Sequence, residues 1–469
     1  MGKDKHVSFV DLLPLANSGS EIVANEVPEF SAEDYLQRIE SLFEACKGEY
    51  EYIVVYGDRE HYTNTEYFTG YDPRFEESLL ILCSGKNPVL VVGNEGIGYV
   101  EKVPFPVEKV LYPFFSLPKQ PMDKMRGLKD IFLDAGIKYG TRVGVLGWKY
   151  FEPTLFSREK SFDLPYFIMS DLIEVAGIDS IYNANALMLD NEHGLLHNLD
   201  AKEMVLAEIA GFKVANSVYN VLKNLKDGIS ETEASSYLSI DGEPCSMHPN
   251  INFGDNVFYG LASPTYSKKL CHGELVSAGM GLRRALVHKV GLFIENFGEL
   301  EESYSQSAQS YYETYFKAVA LWYESVGIGV SGGEVYKKID DLLGGLCNFG
   351  VGLNPGHSIH TAEWTSSPFY PGSEEKLHSG MMLQCDFTAS DVGKNLSVHA
   401  EDGVLIADKE LQAEIEKISP SSMKRMKNRQ TYMREVLGIN IADEVLPTSD
   451  LCGIVFPCMK NLSVGYGFK

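Results

Sequence analysis

Basic residues are scarce in this chain: 41 Lys and Arg stand against 65 Asp and Glu, a formal net charge of −24. A surface so negative repels phosphate backbones, which argues against nucleic-acid binding. No stretch reaches the roughly 18 apolar residues of a membrane-spanning helix. The opening MGKDKHVSFVDLLPLANSGS lacks the long apolar core of a secretory signal. Eight cysteines are scattered and none forms a CxxC pair. A chain this large needs no disulfide staples, so reduced thiols and a cytoplasmic location are expected. Internal repeats of solenoid period and low-complexity tracts are also missing, which excludes repeat arrays.

The sequence does hold enough apolar residues, 44% of 469, for two separate cores. The first part alternates strand-like YIVVYG (52–57), SLLILC (78–83), PVLVVG (88–93) and RVGVLG (142–147) with amphipathic segments at 34–47 and 125–137. That grammar predicts an α/β layer domain. Near 198 the texture changes. Asp200 stands as an N-cap before a long apolar-periodic stretch carrying Val205, Ile209, Phe212, Val218, Leu222 and Leu225. Ser230 and Glu233 suggest a second capping box. Later segments 256–262, 274–280, 285–294, 380–387 and 403–408 read as strands, and 303–326 and 330–343 as helices. The expected division is an N-terminal domain of 1–197 and an α+β C-terminal domain of 198–469.

Four constellations carry chemistry. NPGHSIHTAEW places His357 and His360 three apart beside Glu363 and Trp364. The Pro-Gly turn argues against one helix face, so the pair alone does not define a metal site. Asp386 closes the apolar GMMLQCDF, a costly place for an acid without a partner. In HAEDGVLIA, Glu401 and Asp402 must face opposite ways on a strand, and His399 shares the Glu401 face. GLRRALVHK offers Arg283, Arg284, His288 and Lys289, groups able to bind a substrate carboxylate.

The order of these pieces, GELVSAG, then HK, PGH, GMMLQCDF and AEDGVLIA, resembles the pita-bread superfamily of creatinase, prolidase, aminopeptidase P and methionine aminopeptidase. YTNTEYFTGYDPRFEESLLIL (62–82) is similar to the signature of the creatinase-type N-terminal domain. The resemblance implies a creatinase-type domain followed by a pita-bread domain with five metal ligands in the order Asp, Asp, His, Glu, Glu. On this chain the last three positions fall on His357, Asp386 and Glu401. The first two fall on Ser277 and His288, and the peptidase histidine is replaced by Trp364.

Without the early aspartates a two-metal centre is not expected. The resemblance then implies a hydrolase of a C–N bond in a small molecule or short peptide. His288, His357 and His360 serve as acid/base groups. Asp386, Glu401 and Glu363 bind a cationic group or orient water, and Trp364 walls the pocket. Arg283, Arg284 or Lys289 anchors a carboxylate. Arg74 and Phe75 are nominated as groups a partner subunit brings to the pocket of a homodimer. The expected cofactor is none, or a single Zn, Mn or Fe held by His288, His357, Asp386 and Glu401. Two alternatives stand beside this reading: a mononuclear Xaa-Pro peptidase and a catalytically inactive binding module.

Overall fold

The computed structural model describes residues 6–12, 21–123, 126–151 and 157–469. Met125, the expected start of one helix, and residues 1–5 and 13–20 lie outside the described residues. The chain divides into two compact units, Glu29–Leu196 and a second comprising His197–Lys469 with the segment before Glu29. That N-terminal segment joins the second unit because Val7–Asp11 pairs antiparallel with Val464–Phe468 near the end of the chain.

The Glu29–Leu196 unit is built on a six-stranded mixed sheet. Its order is Glu108–Leu111, Val89–Val92, Ser78–Cys83, Tyr52–Gly57, Val143–Leu146 and Ile181–Asn183. The central strands are buried on both faces, which explains why they read as continuous apolar runs rather than alternating ones. Ile53 and Val55 enter one core and Val54 and Tyr56 another. Arg74 belongs to this unit. Its guanidinium lies 3.1 Å from Asp72, and its backbone is left-handed at φ 61°. Phe75 beside it is half exposed.

The larger unit carries an eight-stranded sheet. We label its strands β1 (Cys245–Phe253), β2 (Leu275–Leu282), β3 (Ala285–Leu292), β4 (His357–Ser358), β5 (Met382–Cys385), β6 (Ala389–Asp391), β7 (Leu396–Ile406) and β8 (Val445–Pro447). The order is β4-β5-β7-β3-β2-β1, with β6 and β8 also pairing with β7, and every pairing is antiparallel. Its longer helices are α1 (Ala201–Lys223), α2 (Glu302–Ser325), α3 (Gly332–Leu343), α4 (Lys409–Ile418) and α5 (Pro420–Glu435). α1 starts where the sequence predicts. Asp200 accepts from the Glu203 amide at 2.8 Å, and Glu203 accepts from the Asp200 amide at 3.2 Å. At Ser230 only half of the expected box forms: the Ser230 hydroxyl caps Glu233 N without the reciprocal bond. Val214, Val218 and Val221 of α1 and Tyr312, Phe316, Val319 and Trp322 of α2 form one core with Ala278, Met280 and Val287 of the sheet. Fully burying each large apolar side chain contributes on the order of 1.5–3 kcal/mol.

One strand expectation is corrected. NVFYGLA (256–262) is not a strand; Gly254–Tyr259 forms a 3-10 turn, and the edge strand is the preceding CSMHPNINF. Asn250 and Asn252 interrupt the apolar run there, while Ile251 and Phe253 alternate into the core.

Candidate functional site

Strand register assembles the site. Side chains of directly paired residues share a face, and every second residue along a strand returns to it. One row across the sheet runs Asn252, Ser277, Val290, His399; the next runs Asn250, Gly279, His288, Glu401. All eight therefore lie on one face. β5 adds Asp386, one residue past its end, by the same alternation, and β4 adds His357 opposite Gln384. The opposite face carries Ala278, Lys289, Ala400 and Asp402.

His357 is fully buried and is the hub. Its Nε2 lies 3.5 Å from Asp386 Oδ2 and 3.6 Å from Glu401 Oε1. Neither separation is a good hydrogen bond, and among the described residues His357 Nε2 and Glu401 Oε1 have no hydrogen-bond partner. The other oxygen of Asp386 is held by His399 Nε2 at 2.8 Å. His288 meets His399 edge to face, ring centroids 4.7 Å apart, and its Nε2 sits 2.6 Å from Ser277 Oγ. Gly279 makes this possible, since a Cβ there would fall 2.7 Å from the His288 ring. Trp364 stacks on His357 at 4.2 Å and 13°, and is partly exposed.

The electrostatics follow from burial and pairing. Burial alone would push the His357 imidazolium down, but Asp386 and Glu401 outweigh it and hold the group up, at about 10. Asp386 is also opposed by burial, yet His357 and His399 hold it well below the usual carboxylate range. Glu401 is pushed far up by burial and by the Asp386 charge, with His357 opposing. Glu363 is raised by burial, which outweighs the lowering effect of His357. Burial drives His288 well below the ordinary imidazole range, and the neighbouring His399 adds to this. The result is a set of groups whose protonation states differ although they sit within one cluster.

The structure brings together His288, His357, Asp386, Glu401 and Trp364, with Glu363 close enough to feel His357 and Asp386. It adds His399, which the sequence pattern left outside the expected site residues although strand alternation had placed it on the Glu401 face. Three expectations change. His360 is buried 3.1 Å from Glu203 at the start of α1, so its ring is engaged by the helix cap. Lys289 is not a substrate anchor: its ammonium is fully buried against Asp402 and also donates to the Leu451 and Ile454 carbonyls at 3.0 and 3.1 Å. Arg283 and Arg284 form the two-residue turn between β2 and β3. They stand about 13 Å along the strand from His288, at roughly 3.3 Å per residue.

The family-implied two-metal centre does not fit these residues. Ser277 offers no bridging carboxylate and its hydroxyl is bound to His288. One cation does fit. Bonds of about 2.0–2.2 Å to N and O donors in a tetrahedron put the donors roughly 3.3–3.6 Å apart, and His357 Nε2 stands 3.5 and 3.6 Å from the two carboxylate oxygens. The ligand atoms of His357, Asp386 and Glu401 lie within 4.8 Å of one another, and so do those of His288, His399 and Glu401.

No family model matches the chain, and no curated protein matches it. Solved structures do. The prolidase from Pyrococcus horikoshii OT3 aligns over 79% of this chain and 95% of its own, with a TM-score of 0.61 and 17% identity. The dipeptidase PepE from Mycobacterium ulcerans aligns over 81% and 95%, at 0.62 and 16%. A putative aminopeptidase P from Bacillus anthracis aligns over 84% and 99%, at 0.58 and 13%. This chain therefore shares the pita-bread fold of these solved structures. At such identities the likeness carries the fold, and the chemistry must be argued from the side chains.

Proposed function

We propose that this protein is a hydrolase of a C–N bond in a small molecule or short peptide, working at a single buried centre with one divalent cation instead of a cation pair. The observation behind this reading is the convergence of His357 Nε2 and Glu401 Oε1, both buried and unpartnered, beside an Asp386 whose second oxygen is held by His399. Buried polar atoms left without partners are costly, and a cation between them removes that cost. His399 acts as the group that orients a ligand carboxylate from behind.

His357, Asp386 and Glu401 would hold the ion. When bound, such an ion polarises a carbonyl and makes an attacking water more acidic. Glu363, its carboxyl raised by burial, is suited to giving a proton to the departing nitrogen. Trp364 braces the His357 ring and offers a flat apolar wall to the substrate.

Elemental analysis of the purified protein tests the ion. About one equivalent of Zn, Mn or Fe per chain is expected, lost in His357→Ala. A panel of dipeptides, including Xaa-Pro, and of small amides and amidines tests the hydrolysis. Finding no metal, with no rate change on adding Zn or Mn, would leave the second reading. In it the His357 imidazolium itself sits between the two carboxylates, as its high pKa favours, and acts as the acid. If His357→Ala and Glu401→Ala change neither ligand binding nor any turnover, the fold serves here as a binding module.

A further inference from the structure

On the same face, beside His399 and Glu401, stands a second arrangement. In the resembling family, the positions of Ser277 and His288 carry two carboxylates. Here they carry a hydroxyl and an imidazole, and the two are bonded to each other: Ser277 Oγ lies 2.6 Å from His288 Nε2. That spacing suits an O–H···N bond and is shorter than the usual N–H···O contact. The hydroxyl also lies 3.4 Å from Asn250 Oδ1. His288 is held by two constraints, the edge of His399 on one side and the space left by Gly279 beneath it.

Asn252 supplies an independent observation. It pairs directly with Ser277 in the β1–β2 register, so its side chain rises beside the hydroxyl on the same face. It is fully buried, and among the described residues neither its Nδ2 nor its Oδ1 has a hydrogen-bond partner. A buried amide with both ends unused is expensive, and an amide N–H beside a hydroxyl–imidazole pair is the kind of donor that receives an oxyanion in acyl transfer. Nucleophile, base and oxyanion donor thus come from β2, β3 and β1.

We propose that Ser277 is a nucleophile, activated by His288, with Asn252 donating to the oxyanion, and that the site takes acyl groups with a C–N or C–O leaving group. This rests on the hydrolase reading but not on the cation. In the step, Ser277 Oγ bonds to the carbonyl carbon while its proton passes to His288 Nε2. The C–N bond then breaks, and the leaving nitrogen takes that proton. Water cleaves the resulting ester: its oxygen bonds to the acyl carbon, His288 takes one of its protons, and that proton returns to Ser277 Oγ as the ester bond opens. The sum is hydrolysis, with water as the only co-reactant.

The test is covalent capture with diisopropyl fluorophosphate, a small reagent that phosphorylates activated serines, followed by peptide mass mapping of the full-length protein. One adduct is expected on the peptide holding Ser277, absent in Ser277→Ala. In His288→Gln its formation should slow roughly 100-fold or more, the lower bound for losing a general base. Asn252→Ala should leave the adduct in place and slow acyl transfer from p-nitrophenyl acetate. Should Ser277→Ala fail to fold by circular dichroism, Ser277→Cys substitutes for it: its thiol should alkylate with iodoacetamide at a rate that His288→Gln reduces. No adduct on Ser277 in the folded wild type, or capture unaffected by His288→Gln, overturns the proposal. An adduct on Ser277 with no hydrolysis of any amide or peptide keeps the nucleophile and defeats the hydrolase reading. Undiminished amide hydrolysis by Ser277→Ala keeps the hydrolase and defeats the nucleophile.

Discussion

Replacing Lys289 by Met separates a structural role from a substrate-binding one. Both Lys289 and Asp402 have fully buried side chains. The ammonium bonds Asp402 and the Leu451 and Ile454 carbonyls, and the second Asp402 oxygen accepts from Ser449 at 2.6 Å. Lys289→Met keeps an unbranched chain of similar length. It removes all three bonds and strands the carboxylate with Ser449 alone. Leaving one member of a buried pair costs about 3–5 kcal/mol. A domain of this size shifts about 2–4 °C in Tm per kcal/mol, so a fall of roughly 6–20 °C is expected. Adding Asp402→Leu should recover most of it, because an apolar pair in place of a buried ion pair is often neutral. Thermal and urea denaturation followed by circular dichroism measure both variants. A loss below about 1 kcal/mol, or a double variant no better than Lys289→Met alone, refutes the argument. A raised KM at unchanged stability would restore Lys289 as a substrate anchor.

Three further outcomes are expected. In cation-free protein kept in chelator, the stability His357 contributes is complete below its unfolded value of about 6.5 and is lost as pH rises through about 10; Glu401, also raised, adds a loss in the same direction. Tm should therefore fall across that window, and His357→Gln should flatten the fall; an equal slope in the variant refutes the assignment. Gly279→Ala forces a methyl against the His288 ring at 2.7 Å, so it should cost about 1–3 kcal/mol by overpacking; a variant as stable as wild type in urea would show that the ring moves freely. Asp200→Ala removes the cap of α1, with an expected cost of about 0.5–2 kcal/mol, and loosens the Glu203 that holds His360; no change in urea midpoint would count against the cap.

The fold was legible in the sequence where a single period decided it. The apolar runs at 52–57 and 78–83 are strands to the residue, because strands buried on both faces leave nothing polar to blur their ends. Asp200 marked the start of α1 because capping is local chemistry. The edge strand β1 was missed for the opposite reason: the asparagines on its site face break the apolar signal. The resemblance implies His360 among the acid/base groups, yet its partner Glu203 lies 157 residues away, and no local pattern reports that. Lys289 and Asp402 could have been assigned correctly. Alternation puts both on the face opposite His288 and Glu401, and two opposite charges on one buried face are each other's natural partner.

Charge also favours the proposed single cation over a pair. The family pattern implies four carboxylates around two divalent ions. This chain keeps two, Asp386 and Glu401, and surrounds them with His288, His357 and His399. Two carboxylates carry a charge of −2, which one divalent ion balances. A second ion would leave uncompensated positive charge in a site where most side chains are buried, a penalty of several kcal/mol in real proteins. His288 reinforces this. Held neutral by burial and by His399, it adds no negative charge to a second ion, and its Nε2 is already committed to Ser277. On the proposed single-cation reading, Ser277 and His288 therefore act as a pair. Serine alone would leave an unpaired carboxylate position beside one ion, and histidine alone would lack the hydroxyl it bonds. Restoring only one of them, as in Ser277→Asp, should bring no second cation, whereas Ser277→Asp with His288→Asp should raise the bound metal toward two equivalents per chain.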